Sequence, residues 1–260
     1  MQAITVNNLT FRRKECAIFD GFSVSIAKGK FVALLGPNGT GKSTLLKMLS
    51  GILPFEGGSV QLFGNDLCDL NAIERARNIS YMPQTTFLDT NFTVEQVVKM
   101  GRYPHKKRFS SWNGEDDQAV ERAILYTGIE HLRERFIPDL SGGERQLVYL
   151  TKAIAQDTQI LLLDEPTSDL DIYHTMIVMD VLRQLVSDGK TVVAAIHDIN
   201  LAARICDDSL MLKDGEIIVF GDQQQVMQAD HLARGFHVKA HIYNEAHTNS
   251  LQMIPVEVQK

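Results

Sequence analysis

One segment of the sequence combines glycines, a lysine and a serine in the pattern G-x-x-x-x-G-K-S. Glycines in such a turn let backbone N–H groups converge on an anion, and a helix that starts at the lysine adds its positive dipole end. The lysine would reach the terminal phosphates of a nucleotide, and the serine hydroxyl would ligate Mg²⁺. The predicted nucleotide-binding residues are Gly36, Pro37, Asn38, Gly39, Thr40, Gly41, Lys42, Ser43 and Thr44.

Two adjacent carboxylates, Asp164 and Glu165, follow the apolar run Ile160–Leu163. Ligands of open parallel sheets bind at the carboxyl ends of the strands, so both acids are expected beside the phosphates. We expect Asp164 to hold Mg²⁺ through its water shell, together with Ser43. We expect Glu165 to orient or deprotonate an attacking water. The alternative is a structural role, in which the acids cap the helix that follows.

A second segment suited to an anion is Ser141-Gly142-Gly143-Glu144. Its S-x-x-E spacing is a capping box, which predicts the start of a helix. Two adjacent glycines weaken a helix start, so their presence indicates that something must approach the backbone. A hydroxyl, backbone N–H groups and a helix dipole together predict that Ser141, Gly142 and Gly143 also contact phosphate.

The fold that must position these residues belongs to the α/β class. Alternation of apolar and polar residues at Ile4–Val6 and Phe22–Ile26 predicts an antiparallel β subdomain. A helical rhythm from about Tyr173 to Ser187 lies between two strand-like runs, which is the pattern of a parallel sheet. Strands buried on both faces are predicted from continuous apolar runs at Phe31–Leu35, Ile160–Leu163 and Thr191–Ile196.

Residues 85–139 differ in composition and predict a helical insertion with helices at Val94–Met100 and Asp116–Tyr126. We assign residues 1–240 to one domain and residues 241–260 to a C-terminal tail. A basic cluster in the insertion is predicted to lie on the surface, facing anionic lipid, a membrane partner or merely solvent. Its members are Arg102, His105, Lys106, Lys107 and Arg108.

Together these segments resemble the ATP-binding-cassette (ABC) ATPases. The resemblance rests on Leu140–Gln146, which reads LSGGERQ, followed by an apolar strand that ends in Asp-Glu-Pro at residues 164–166. It implies a P-loop NTPase fold of the ABC type, with ATP and Mg²⁺ as cofactors. It also implies a head-to-tail dimer with a second copy, in which each ATP lies between the P-loop of one chain and Ser141–Gly143 of the other.

The resemblance also implies roles for single residues. Gln84 matches the Q-loop glutamine, whose amide approaches the metal and the attacking water. His197 matches the switch histidine, which contacts the γ-phosphate. Many members carry an aromatic residue before the P-loop that stacks on adenine, and the nearest position here is Arg13, with Phe11 close by. An arginine guanidinium also stacks on planar rings, so Arg13 and Phe11 are the predicted base contacts.

A finer likeness concerns the cargo. The segments Thr93–His105 and His197–Ala203 are similar to those of ATPases that serve iron–siderophore, haem and cobalamin importers. This implies import of a metal chelate through integral membrane permease subunits, at the cytoplasmic face of the membrane, with an external substrate-binding protein as an indirect partner. Two alternatives stay open: an ABC ATPase for another cargo, or a non-transport ABC ATPase in DNA repair or translation.

The composition argues against several other classes. The chain has 260 residues, 44% of them hydrophobic, and a formal charge of -6 with a pI near 5.7, so no broad basic surface for nucleic acid is expected. Its apolar runs are far shorter than the ~20 residues of a spanning helix, and the N-terminus lacks a signal-peptide pattern. The cysteines Cys16, Cys68 and Cys206 are widely spaced, as expected for reduced cytosolic thiols. We therefore expect a cytosolic chain that docks on a membrane.

Overall fold

The computed structural model describes residues 1–84, 91–106, 112–168 and 170–258. In these ranges the strands are β1 (Gln2–Arg13), β2 (Cys16–Ala27), β3 (Phe31–Leu35), β4 (Gly57–Leu62), β5 (Asn65–Asp66), β6 (Ile79–Met82), β7 (Ile160–Asp164), β8 (Thr191–Ala195), β9 (Asp208–Lys213), β10 (Glu216–Asp222), β11 (Val238–Glu245) and β12 (Ser250–Val258). The α-helices are α1 (Lys42–Leu49), α2 (Ala72–Asn78), α3 (Val94–Met100), α4 (Gly114–Thr127), α5 (Gly142–Ala155), α6 (Ile172–Ser187), α7 (Ile199–Ile205), α8 (Gln223–Val226) and α9 (Ala229–Phe236). Over the same ranges, no helix has both the length and the apolar character to cross a membrane.

The larger sheet has the strand order β10-β9-β3-β8-β7-β6. Its neighbouring strands run parallel, except for β10, which pairs antiparallel with β9 at one edge. Successive residues of β3 enter different apolar cores: Phe31, Ala33 and Leu35 join one, and Val32 and Leu34 join the other. Burial on both faces explains why these strands read as continuous apolar runs in the sequence.

A smaller antiparallel sheet, of order β2-β1-β4-β5, covers one of the two cores. Its side chains alternate between core and solvent: Val24 and Ile26 of β2 are buried, whereas Ser23 and Ser25 are exposed. This alternation is the period-two pattern of a strand with one wet face. The predicted α/β class, with an antiparallel β subdomain beside a parallel sheet, is confirmed.

The helices α3 and α4 lie in the segment read as an insertion, and both pack against α5. Thr93 begins α3 with a complete capping box, because its side chain accepts from the Gln96 N–H and the Gln96 side chain accepts from the Thr93 N–H. Gly128 ends α4 in a left-handed conformation, with φ 69°, as glycines after helices commonly do. Local sequence signals therefore set the start of α3 and the end of α4.

Arg102 is buried, so the prediction of an exposed basic cluster is wrong for this residue. Its side chain is ion-paired with Asp116, at 3.1 Å between Nε and Oδ1, and it donates to the Ala155 carbonyl at 2.9 Å. Arg102 is 7% exposed and Asp116 4%. The two lie 14 residues apart, on separate elements, so the run of positive charges in the sequence gave no sign of the partner. Lys107 and Arg108 lie outside the described residues.

The C-terminal region is more ordered than its weak sequence pattern suggested. After α9, the strands β11 and β12 pair antiparallel into a two-stranded hairpin. The hairpin packs through partly buried Ile242, Leu251 and Met253 against the larger of the two cores. It also contacts α7, the helix that follows β8.

Candidate functional site

The glycine-rich loop runs from the end of β3 to the start of α1. Gly36 has φ +144°, and a Cβ there would overlap the carbonyl oxygen of Leu212 on the neighbouring strand β9. Gly41, the residue before α1, has φ +99°, and a Cβ there would lie 2.8 Å from the Phe19 ring. Both positions combine a backbone conformation that L-residues rarely adopt with a close neighbour. The glycine spacing is therefore a requirement of the turn itself.

Lys42 is the first residue of α1, and it is only 5% exposed. Its ammonium donates to the loop carbonyls of Gly36, at 2.6 Å, and Pro37, at 2.9 Å. Burial lowers the pKa of Lys42, while the nearby carboxylates of Glu165 and Asp164 act in the opposite direction. A positive charge is thus held inside the loop where terminal phosphates are expected.

Ser43 and Asp164 lie side by side, as the sequence predicted. The Ser43 hydroxyl donates to Asp164 Oδ1 at 2.8 Å, across the gap between α1 and the end of β7. Asp164 is 2% exposed, and burial raises the pKa of its carboxyl. A hydroxyl and a carboxylate in contact are hard oxygen donors of the kind Mg²⁺ prefers, so these two residues fit the ion.

The second oxygen of Asp164 has a partner that sequence reasoning missed. The Tyr81 hydroxyl, from β6, lies 3.4 Å from Asp164 Oδ2 and donates to it. Desolvation, followed by the Asp164 charge, raises the pKa of Tyr81, so this phenol stays protonated as a donor. Tyr81 stands on β6, three residues before Gln84, and the pairing of β6 with β7, which is a property of the folded sheet, brings it to Asp164.

Glu165 lies between the two residues that the resemblance assigned to the reaction. Gln84 Nε2 donates to Glu165 Oε2 at 2.7 Å, and His197 Nε2 lies 2.6 Å from Glu165 Oε1. The three side chains follow β6, β7 and β8, whose carboxyl ends meet at one edge of the sheet. Glu165 also has φ +55°, a strained value for a non-glycine residue, and such strain clusters at functional sites.

These groups line a cavity of about 370 Å³ in front of the loop. Phe11 does not line it, but packs on an apolar core beside its strand neighbour Phe19. Ile18, which the sequence analysis did not single out, adds an apolar side chain to the lining, next to Gly41. The lining residues are Arg13, Ile18, Asn38, Gly39, Gly41, Lys42, Ser43, Thr44, Gln84, Glu165 and His197.

Ser141, Gly142 and Gly143 do not line this cavity, and they form the start of α5. The Ser141 hydroxyl accepts from the Glu144 N–H at 3.3 Å, and Glu144 Oε2 accepts from the Ser141 N–H at 2.8 Å. That backbone hydrogen bond is the main reason that the pKa of Glu144 is lowered. A Cβ on Gly143 would lie 2.6 Å from the His174 ring, whereas one on Gly142 would meet nothing within 4 Å.

The start of α5 is nonetheless tied to Glu165. Gln146 Nε2 donates to the carbonyl oxygens of Glu165, at 3.4 Å, and Pro166, at 3.1 Å. This link was not predicted, although Gln146 stands two residues after Glu144 in the signature segment. It connects the turn that carries Glu165 to the helix that carries the second predicted phosphate site.

Comparison with known proteins shows that the chain is similar to ABC transporter cassettes. The sequence profile described as ABC transporter matches residues 19–168. Among solved structures, a metal-chelate type ABC transporter in an inward-facing conformation is similar with a TM-score of 0.86 and 30% identity, over 99% of this chain and 98% of that one. The dimeric cassette MJ0796 is similar with a TM-score of 0.75 and 29% identity, over 85% of this chain and 98% of that one.

Relatives of similar sequence are named as ATP-binding proteins of import or transport systems. The iron(3+)-hydroxamate import ATP-binding protein FhuC of Bacillus subtilis is 37% identical, over 96% of this chain and 93% of the relative. The ferric enterobactin transport ATP-binding protein FepC of Escherichia coli is 34% identical, over 95% and 92%. The cobalamin import ATP-binding protein BtuD of Halobacterium salinarum is 39% identical over 92% of this chain, which spans 60% of that protein's length.

Proposed function

Given that the chain belongs to the ABC transporter family, we propose that it is the ATP-hydrolysing subunit of an importer for metal chelates. The observation that carries the hydrolytic part is the placement of Glu165. Its carboxylate is held by Gln84 and His197 on the wall of the cavity in front of the P-loop. A hydrolase needs a base aimed at water beside a bound phosphate, and this arrangement supports that role for Glu165.

Binding of ATP would rest on the loop and on α1. Lys42 would exchange its contacts with the Gly36 and Pro37 carbonyls for phosphate oxygens, which are better acceptors for a cation. Ser43 and Asp164 would hold Mg²⁺, which offsets the phosphate charge when bound. Arg13, at the rim of the cavity, would stack on the base.

Hydrolysis would follow from the position of Glu165. Its carboxylate takes a proton from the attacking water, whose oxygen bonds to the γ-phosphorus. The bond from that phosphorus to the bridging oxygen breaks, and ADP and phosphate leave. Gln84 and His197 hold the two carboxylate oxygens and so fix the direction in which the base points.

The site would be completed by a second copy of the chain. Ser141–Gly143 start a helix whose dipole favours anions, yet they do not line the cavity of their own chain. A head-to-tail pair would bring them to the ATP held by the partner. Integral membrane permease subunits, with an external substrate-binding protein, would place the assembly at the cytoplasmic face of the membrane.

The choice of cargo rests on the relatives and on the neighbouring transporter structure. FhuC is named for iron(3+)-hydroxamate, FepC for ferric enterobactin and BtuD for cobalamin. These cargoes share one chemistry, a transition metal enclosed by an organic chelator. We therefore propose a metal chelate as cargo, with the membrane subunits selecting among chelates.

The change Glu165→Gln tests the hydrolytic role. It keeps the side-chain shape and removes the base, so kcat should fall by about 10²-fold or more while ATP binding persists. Size-exclusion chromatography with ATP should then show a trapped dimer. The matched control is Glu216→Gln, an exposed position at the start of β10, which should leave kcat unchanged. Normal turnover by Glu165→Gln would remove Glu165 from the reaction.

Uptake assays test the cargo. A strain lacking this gene should lose uptake of at least one probe among ferric hydroxamates, ferric catecholates, haem and cobalamin. Expression of the chain should restore that uptake, and the Glu165→Gln variant should not. Unchanged uptake of all four probes, with ATP hydrolysis intact, would point to another cargo or to a non-transport role.

A further inference from the structure

The C-terminal hairpin is fastened to the helix that follows His197. Asn200, in the first turn of α7, uses both halves of its side-chain amide on one residue of β12. Its Oδ1 accepts from the Met253 N–H at 2.7 Å, and its Nδ2 donates to the Met253 carbonyl at 3.2 Å. An amide that both accepts from and donates to one backbone residue acts as a short piece of a neighbouring strand.

This pairing occupies the outer edge of β12. Met253 is opposite Ile242 of β11, yet its N–H and carbonyl turn away from β11 towards Asn200. In antiparallel pairs, alternate residues point their backbone groups outwards, so residues 253 and 255 share that edge. Pro255, which has no N–H to donate, already stands on the edge. Asn200 therefore satisfies outward backbone groups without disturbing the hairpin itself.

The connection from Asn200 to His197 is short and stiff. His197 follows buried Ile196, and Asp198 caps α7 by accepting from the Leu201 N–H at 3.0 Å. The imidazole is itself 44% exposed, so little packing holds it directly. His197 lies between the end of β8 and the start of α7, so we expect a shift of α7 to move the imidazole relative to Glu165.

We propose that the hairpin β11–β12 is a positioning element of the active site, and that Asn200 is its positioning residue. The hairpin fixes α7 through Asn200, α7 fixes His197, and His197 orients the Glu165 carboxylate. The proposal rests on the hydrolytic function proposed above. It adds that the last strand of the chain, remote in sequence from the P-loop, governs the rate of turnover rather than the affinity for ATP.

Kinetics of Asn200→Ala in the full-length chain give the first test. The base would be less well aimed, while the phosphate contacts stay intact. We expect kcat to fall about tenfold, with KM for ATP changing by less than about twofold. Circular dichroism melts confirm that the variant is folded at the assay temperature. A normal kcat in the folded variant would overturn the proposal.

Met253→Pro approaches the same contact from the other side. Proline removes the N–H that donates to Asn200 and also removes the Met253 side chain that packs on the core, but it leaves the ladder to β11 intact, because Pro255 already occupies this edge. A melt of Met253→Leu, which keeps both the N–H and an apolar side chain, shows the effect of the packing change alone. Since Asn200→Ala and Met253→Pro break one link, the double variant should lose no more kcat than either single variant. Losses that multiply would refute a shared route. Lys239→Ala, which removes an exposed ion pair with Glu257 elsewhere on the hairpin, is the matched control and should be neutral.

The imidazole NMR signals of His197 separate this proposal from the proposed function. Asn200→Ala and Met253→Pro should shift those signals in the nucleotide-free chain, and Lys239→Ala should not. Unmoved signals would refute the link between hairpin and His197, whatever the ATPase rate. Shifted signals in a chain whose wild type and His197→Ala forms turn over equally would instead refute the role of His197 in hydrolysis.

Discussion

The two helix starts that could bind phosphate, those of α1 and α5, are built in opposite ways. Gly41, the residue before α1, has φ 99°. In the described part of the chain, no side chain forms a capping hydrogen bond to the start of α1. Ser141 precedes α5 and forms a complete capping box with Glu144. The first helix therefore offers its N–H groups to a ligand, whereas the second already satisfies part of its own.

The residues that surround the first turns of α1 and α5 also differ. Around α1 lie a buried lysine, two carboxylates and the cavity, which together can bind and cleave a nucleotide. The start of α5 offers a hydroxyl and two glycines on the surface, and its Glu144 carboxylate is already engaged in the capping box. The start of α1 thus faces the cavity of its own chain and the start of α5 does not, which fits our proposal of a catalytic half-site at α1 and a recognition half-site at α5.

Lys42→Ala should give the largest effect on the α1 side. The loop would keep its backbone N–H groups and lose the cation that faces the terminal phosphates. We expect hydrolysis to fall by about 10²-fold to 10³-fold, measured as phosphate release. Lys28→Ala, at an exposed lysine, serves as the control. If Lys42→Ala hydrolysed ATP at a near-normal rate, α1 would not be the catalytic half-site.

Gly41→Ala and Gly142→Ala compare the two starts directly. At Gly41 a Cβ is strained by φ +99° and meets the Phe19 ring, so unfolding free energy should drop by about 1–3 kcal/mol. At Gly142 a Cβ meets nothing within 4 Å, so the chain should keep its stability or gain about 0.5 kcal/mol. Chemical denaturation measures both values. Equal losses at the two glycines would contradict the difference between the helix starts.

Each helix also carries a largely buried lysine, and Lys152→Met separates their roles. Burial lowers the pKa of Lys152 on α5, as it does for Lys42 on α1. Lys152 stands outside the cavity lining, and desolvation of its charge is expected to lower stability without serving the site. Removing it should raise the unfolding free energy by about 1 kcal/mol at neutral pH, with kcat unchanged.

The pH dependence of that gain has a definite sign. A lysine with a lowered folded pKa binds its proton more readily in the unfolded chain. The wild-type penalty is therefore full below the folded pKa and disappears as pH rises towards the usual value of 10.5. The advantage of Lys152→Met should shrink in alkaline buffer, as measured by urea denaturation. An advantage that grew with pH would show that burial is not the cause.

Features that depend on nearby residues could be predicted from the sequence, whereas features that depend on contacts between distant residues could not. The bounds of α3 and the turn at Gly36–Gly41 were predictable, because capping, periodicity and glycine spacing act within a few residues. The burial of Arg102 was not, since its partner Asp116 lies on another element. The Tyr81 contact with Asp164 likewise depends on which strands become neighbours in the sheet.

The C-terminal hairpin is a whole element that local sequence patterns did not predict. Its strands leave many side chains exposed, including Ile254 at 51% and Val256 at 62%, so no clear apolar and polar alternation marks them. Its attachment to α7 depends on Asn200 and Met253, 53 residues apart. Local patterns carry no information about such a contact, although Asn200 stands only three residues after a predicted site residue.

A mixed dimer tests whether the two half-sites belong to different copies. Chains with Ser141→Arg lack the recognition half-site, and chains with Lys42→Ala lack the catalytic half-site, so each should be inactive alone. In a head-to-tail pair of one of each, the intact P-loop of one chain faces the intact α5 start of the other. An equal mixture should therefore recover about a quarter of the wild-type rate, since half of the dimers are mixed and each has one intact site.

The same mixture also tests the opposite arrangement, in which the start of α5 contacts the nucleotide of its own chain. If the start of α5 served the nucleotide of its own chain, the Ser141→Arg chain would carry its defect into every dimer, and mixing would restore nothing. A mixture of Ser141→Arg with a Ser141→Arg/Lys42→Ala double variant is the matched control, because it contains no intact pair in either arrangement. Recovery only in the first mixture would assign α1 and α5 to opposite sides of one shared ATP.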